Sequence, residues 1–211
     1  MNESFVQTTT GIVGIVMFIL TMLEIYLYFV YSGPPPTQNI LIRVFIDLFI
    51  CIGLIVFSAG FRHIILRTYP DYELLGTLCL VWGLTYSLLT FAANSIQVGS
   101  ILGKKEPIDP TLVGSGGEGA LLIYGPIARL ITAAFLASAG SVIIISGFLP
   151  AWLGWLAYFV GIFNLALVPS IFYKTEPAFF YSINGWGIPV AGGLFLTWIL
   201  LVSIWLIWQI G

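Results

Sequence analysis

Six long apolar stretches alternate with short breaks along this chain, and they constrain its fold more than any other feature. They cover residues 10–31, 40–66, 74–102, 120–145, 151–173 and 190–210. A helix needs about 20 mainly apolar residues to cross the hydrocarbon core of a bilayer, and each stretch reaches that length. Glycine and proline in the intervening segments end helices. The sequence therefore predicts an all-α fold, a polytopic membrane protein in which six transmembrane helices form one domain over residues 1–211.

The composition supports the same conclusion. Of the 211 residues, 59% are hydrophobic and only 8% are charged, whereas a soluble domain carries about 25% charged residues. This small number of polar groups cannot cover a water-facing surface. Lipid must therefore be the solvent, and membrane lipids are the first expected partners. We expect a multi-pass protein of the cell membrane. A net charge of -2 without a basic stripe argues against nucleic acid as a partner.

Residues that bind metals or cofactors are scarce. Two cysteines and one histidine are too few for a zinc site, a bis-histidine haem or an iron–sulfur cluster, so we predict no cofactor and no metal. The common hydrolase, metalloprotease and phosphate-loop patterns do not occur. We therefore assign no catalytic residue and favour a protein that is not an enzyme.

Polar side chains within the apolar stretches are the candidate site. They are Glu24, Arg43, Asp47, Asn94, Gln97, Arg129 and Asn164. With a rise of about 1.5 Å per residue, counting from the helix ends places them at similar depth in one half of the membrane. Arg43 and Asp47 share a face of the second helix, as Asn94 and Gln97 do on the third. The pattern predicts one polar cluster inside the bundle.

The four ionisable residues of this cluster sum to zero formal charge. An unpaired charge at mid-bilayer costs about 2.5–3.5 kcal/mol on insertion scales, so we predict ion pairs, with Arg129 bound to Glu24 or Asp47. Three interpretations remain open. The cluster is a structural set that fixes helix register, a pocket for a ligand or ion, or a catalytic site with Glu24 or Asp47 as the acid–base group.

These interpretations give three functional hypotheses. The leading one is a non-enzymatic accessory or structural subunit that packs with partner membrane subunits or forms a homo-oligomer. The second is a small-solute or ion transporter, or a ligand-sensing protein. The third is an intramembrane enzyme that acts on lipid. A break at Gly125-Pro126 in the fourth stretch, without a matching break in the first, argues against an inverted-repeat transporter architecture.

A turn precedes the fifth stretch and reads Leu149-Pro150-Ala151-Trp152-Leu153-Gly154-Trp155. It resembles the Leu-Pro-x-Trp-Leu-Gly-Trp turn of a family of uncharacterised bacterial six-helix membrane proteins. The proline starts a helix, and the tryptophans prefer the membrane interface. The resemblance implies the same six-helix architecture and no particular activity.

Overall fold

A computed structural model of the chain describes residues 3–30, 36–102, 118–173, 180–183 and 185–209, and every regular element in those ranges is helical. We number the α-helices in chain order. They are α1 (Glu3–Phe29), α2 (Thr37–Thr68), α3 (Glu73–Leu102), α4 (Glu118–Leu122), α5 (Ala128–Ser146), α6 (Ala151–Ala166) and α7 (Gly187–Trp208). A π-helical turn (Ile123–Ile127) joins α4 to α5, and 3₁₀ turns cover Pro70–Tyr72 and Val168–Phe172.

Six segments in the described part are long and apolar enough to cross a membrane. They are Glu3–Phe29, Thr37–Thr68, Pro70–Gly99, Gly119–Ser146, Ala151–Phe172 and Gly187–Trp208. The predicted six-helix fold class is confirmed, and the chain is a multi-pass membrane protein. Residues 31 and 210, the predicted ends of the first and last stretches, lie outside the described residues.

The first helix begins seven residues earlier than its apolar stretch. The hydroxyls of Thr8 and Thr10 each donate a 2.7 Å hydrogen bond to the carbonyl four residues back, those of Ser4 and Val6. These bonds satisfy the hydroxyls within the helix itself. The polar residues before the apolar stretch therefore continue the helix instead of forming a loop.

Proline and glycine set the ends of other helices. Pro36 precedes α2 and Pro150 precedes α6, and both have extended backbone conformations. Since proline lacks an N–H, it costs no hydrogen bond at a helix start. α5 ends at Gly147, which has a φ of 67°, a left-handed conformation that favours glycine.

The helices pack in a closed ring that follows the order of the chain. Each membrane-spanning helix contacts the next one along the chain. α3 contacts α5, because the short α4 belongs to the same span as α5, and α7 contacts α1. Aromatic side chains fill the centre of the ring: Phe57, Phe135 and Trp198 are at most 2% exposed. The ring of Phe135 lies edge-on to that of Trp198, at 6.2 Å between centroids. This apolar centre fixes which face of each helix points inward.

Small residues bring α5 and α6 together. A Cβ atom added to Gly140 would lie 2.9 Å from the carbonyl oxygen of Gly154 and 3.2 Å from the Cβ of Ala157. The backbones are thus too close for a larger side chain at this point. Close approach of this kind is how helices associate in lipid, where the hydrophobic effect contributes little.

The break predicted at Gly125-Pro126 is present as the π-helical turn. Gly125 has a φ of -83° and a ψ of -115°, outside the helical region. The carbonyl oxygen of Ile183, in the segment before α7, would lie 2.9 Å from a Cβ at Gly125. The chain leading into α7 therefore packs directly on the irregular turn, which faces protein at this point and not lipid.

Candidate intramembrane polar site

A polar stripe runs along α2 at four-residue spacing. Its members are Asn39, Arg43, Asp47 and Cys51. The Asn39 Nδ2 donates a 3.2 Å hydrogen bond to the carbonyl of Leu27 in α1. The Cys51 carbonyl accepts one of 3.1 Å from the Ser87 hydroxyl in α3. The stripe therefore lies between α1 and α3, where side chains from several helices can meet it.

Asp47 is the centre of the first group of contacts. Its Oδ2 accepts a 2.7 Å hydrogen bond from the Asn94 Nδ2, and the Asn94 Oδ1 accepts one from the Tyr124 hydroxyl. Glu24 of α1 lies close enough to Asp47 and Arg43 to interact electrostatically with both. We call Glu24, Arg43, Asp47, Asn94 and Tyr124 the acidic cluster. It joins α1, α2, α3 and the π-helical turn.

Arg43 is buried, with 3% of its surface exposed, although it bears a permanent charge. Its guanidinium lies over the ring of Tyr28, with Cζ 3.8 Å from the ring centroid. Such a contact stabilises a desolvated cation by about 2 kcal/mol. The Nε and Nη2 atoms have no hydrogen-bond partner among the described residues. Arg43 thus keeps two donors that the acidic cluster can present to an acceptor.

Arg129 belongs to a second group, between α3, α5, α6 and α7. Its Nη1 donates a 3.2 Å hydrogen bond to the Asn164 Oδ1. The Asn164 Nδ2 in turn donates a 2.8 Å hydrogen bond to the carbonyl of Val160 in its own helix. The Tyr86 hydroxyl lies within hydrogen-bonding reach of Arg129 and within electrostatic range of Asp47. We call Arg129, Asn164 and Tyr86 the Arg129 cluster.

The predicted ion pair between Arg129 and Glu24 or Asp47 is wrong. In the described part of the chain, the ion pair within 4 Å joins Arg62 to Glu73, at 3.8 Å near the ends of α2 and α3. Asn94 takes the place beside Asp47 that the prediction gave to Arg129, and Asn164 takes the place beside Arg129. Equal depth along the membrane normal had suggested pairing, but the ring order places Arg129 with α6 and α7.

This separation divides a set of residues that is neutral as a whole. The acidic cluster holds two carboxylates and one guanidinium, a formal charge of -1, while the Arg129 cluster holds +1. Tyr86 and Asn94 lie eight residues apart on α3, about 12 Å along the helix. Tyr86 nevertheless lies within electrostatic range of both Arg129 and Asp47, and no ion pair within 4 Å joins these two charges among the described residues.

Several residues in or beside these clusters were not predicted from the sequence. Tyr28 lies four residues after Glu24, and Asn39 lies four before Arg43, so helical spacing from the charged residues would have found both. Tyr124 directly precedes the Gly125-Pro126 break, a weaker signal. Gln97, which the sequence did single out, is half-buried on α3 and has an interaction partner of its own.

Metal and thiol chemistry receive no support in the described residues. No three His, Cys, Asp or Glu side chains there lie close enough to share a metal ion. Cys51 and Cys79 are buried free thiols. The absence of a metal and of a cofactor stays a prediction.

The fold and the site define a class of protein: a six-span helical membrane protein with charged and amide side chains inside its bundle. Comparisons with protein-family models, with curated proteins and with solved structures found no match. The resemblance carried by the turn at 149–155 therefore stays a prediction, and the geometry of the two clusters is the basis for a function.

Proposed function

We propose that the chain is a non-enzymatic transporter of the cell membrane that carries one positive charge, a proton or a monovalent cation, at the acidic cluster. The formal charge of -1 on Glu24, Arg43 and Asp47 supports this proposal most directly. An uncompensated charge inside the hydrocarbon region costs about 2.5–3.5 kcal/mol or more. One bound positive charge neutralises the cluster and removes that cost.

The side chains of the cluster suit such a ligand. Asp47, Asn94 and Tyr124 contribute carboxylate, amide and hydroxyl oxygens from α2, α3 and the π-helical turn, linked in one hydrogen-bonded chain. Oxygen donors are the ones that hard cations prefer. A chain of hydrogen bonds from a hydroxyl through an amide to a carboxylate also orients a carboxylate that gains and loses a proton.

The irregular fourth span gives a physical reason to favour transport over static binding. Non-helical backbone at membrane depth occurs where it is buried in protein or lines a cavity, and broken helices are common at transporter sites. Here the break at Gly125 is one residue from Tyr124, whose hydroxyl contacts Asn94. A change in the break would therefore move a side chain of the acidic cluster directly.

Flux measurements in proteoliposomes test this function. We expect an imposed gradient of protons, Na⁺ or K⁺ to drive ion movement through the wild-type protein, and the ion that moves identifies the ligand. The substitutions Glu24→Gln and Asp47→Asn remove the charge with little change in shape and should abolish the flux. Glu73→Gln, at an exposed glutamate outside the cluster, should leave it unchanged. Flux that survives both cluster substitutions would refute the proposal.

A second candidate function is that of an accessory or structural subunit, in which the polar side chains only fix helix register. The hydrogen bonds from Asn94 to Asp47 and from Arg129 to Asn164 favour it, because each joins two different helices. Under this hypothesis the cluster substitutions lower stability but alter no ion movement. The protein would then co-purify from native membranes with a partner subunit or with further copies of itself.

An intramembrane enzyme acting on lipid is the least supported function. It needs an activated nucleophile beside Glu24 or Asp47. The Ser87 hydroxyl, near Cys51 on the polar stripe, instead donates to the carbonyls of Cys51 and Gly83. Thr132, on the same side of α5 as Arg129, likewise donates to the carbonyl of Ala128.

A further inference from the structure

We infer that the Arg129 cluster is a second ligand site, which binds a monovalent oxyanion, specifically the carboxylate of a small solute. The inference goes beyond the proposed cation function and rests on different residues. Arg129 is 3% exposed, and its Nε has no hydrogen-bond partner among the described residues. A buried guanidinium with an unused donor needs an acceptor, since a donor left without a partner keeps its full desolvation penalty.

The protein groups around Arg129 do not neutralise it. The Asn164 amide oxygen accepts a hydrogen bond from Arg129, and the Tyr86 hydroxyl lies within hydrogen-bonding reach of it; both groups are uncharged. Asn164 is itself held in place by its bond to Val160. The amide therefore fixes one edge of the guanidinium, while Nε stays without a hydrogen-bond partner among the described residues.

A glycine of α7, Gly192, leaves room beside the guanidinium of Arg129. A Cβ atom at Gly192 would lie 3.7 Å from Arg129 Nη1 and meet no other atom within 4 Å, whereas one at the next residue, Gly193, would not come within 4 Å of Arg129. Arg129 thus faces bare helix backbone across a space free of side chains. A compact anionic group fits such a space better than a large one does.

The chemistry of the site selects a carboxylate. Guanidinium groups bind carboxylate and phosphate through short, charge-assisted hydrogen bonds. A single cationic side chain in a low-dielectric site balances one negative charge, which matches a carboxylate and leaves a phosphate dianion half compensated. A neutral solute would leave the charge of Arg129 unpaired. The site is therefore expected to select among small solutes mainly by their charge and, to a lesser extent, by their size.

Ligand-dependent thermal stability of the purified protein in lipid nanodiscs tests this inference, with sodium acetate and sodium benzoate as probes. Sodium chloride and sodium phosphate are the reference salts. We expect at least one carboxylate to raise the unfolding midpoint in a saturable manner that neither reference salt reproduces. Arg129→Gln should weaken the apparent affinity at least about tenfold, since loss of one partner of a buried charge pair leaves the other charge unpaired.

A pair of glycine substitutions covers the case in which Arg129→Gln does not fold. Gly192→Leu places a side chain against the guanidinium and should abolish the carboxylate effect. Gly193→Leu, the matched control one residue away, should retain it. Glu24→Gln with Asp47→Asn should also retain it, so failure of this inference is distinguishable from failure of the cation proposal.

Three results would overturn the inference. They are no carboxylate effect in the wild-type protein, an equal effect in Arg129→Gln, and an equal effect in the two glycine variants.

Discussion

The side-chain amide of Asn94 donates a 2.7 Å hydrogen bond to Oδ2 of Asp47, which joins α3 to α2 inside the bundle. The Oδ1 of the same amide accepts a hydrogen bond from the Tyr124 hydroxyl. One uncharged side chain, 3% exposed, therefore links three spans. Among the described residues Asp47 is bonded by an amide and has no cation within 4 Å, so the hydrogen bond orients this carboxylate without neutralising it.

A double-mutant cycle measures this contact. We expect Asn94→Ala and Asp47→Ala to show a coupling free energy of about 0.6 kcal/mol, the average for hydrogen bonds between membrane helices, and at most about 1.7 kcal/mol. The measurement is reversible unfolding in mixed micelles. Ser95→Ala is the control, because the Ser95 hydroxyl donates to the Phe91 carbonyl of its own helix, and it should not couple to Asp47. Absence of coupling for Asn94 would contradict the geometry.

The hydroxyl of Tyr124 is expected to contribute to stability through Asn94. Tyr124→Phe removes that hydrogen bond while keeping the ring, and it should lower the free energy of unfolding by about 0.5–1.5 kcal/mol. Tyr26→Phe, at a tyrosine 66% exposed on α1, should change it little. Equal effects of the two substitutions in chemical unfolding would show that the Tyr124 contact is unimportant.

The break in the fourth span requires glycine. Gly125→Ala would bring a Cβ atom to 2.9 Å from the backbone carbonyl oxygen of Ile183, and we expect a loss of about 1–3 kcal/mol, as for other overpacked sites. A Cβ atom at Gly119 would meet no atom within 4 Å. Gly119→Ala should therefore leave the stability unchanged or raise it slightly, since alanine favours a helix. A stable, fully folded Gly125→Ala protein in thermal unfolding would argue against the packing described for this turn.

The α5–α6 interface predicts a graded response. Gly140→Ala would place its Cβ 2.9 Å from the Gly154 carbonyl oxygen, whereas Gly161→Ala would place its Cβ 3.4 Å from that of Leu136. The first should cost about 1–3 kcal/mol, and the second should be close to neutral. Unfolding midpoints of the two variants, compared with the wild type, give the order. The reverse order would mean that the two helices meet elsewhere.

The architecture follows from the sequence because it depends on length and apolarity. Each span needs about 20 apolar residues, and this chain has six such stretches with clear breaks. Gly125-Pro126 predicted the irregular fourth span because proline cannot donate to a helix. The start of α1 was missed because hydropathy does not register threonines that bond their own helix.

The partners of the charged residues could not be predicted in the same way. Depth along the membrane follows from counting residues, but the rotation of each helix and the order of the helices around the ring do not. Counting residues places Arg129 at a depth similar to that of Asp47, yet its hydrogen bond goes to Asn164, since α5 packs against α6. Asn94 was recognised as polar, but only the packing of α3 on α2 makes it the partner of Asp47.

Charge displacement on a solid-supported membrane tests the central claim most directly, because it records binding of an ion even when none is transported. A rapid jump in proton, Na⁺ or K⁺ concentration is applied to the reconstituted protein. The acidic cluster, with its formal charge of -1, predicts a transient current for at least one ion, present in Glu73→Gln and lost when Glu24→Gln and Asp47→Asn are combined. No current with any of the three ions, or a current that both substitutions leave unchanged, would contradict it.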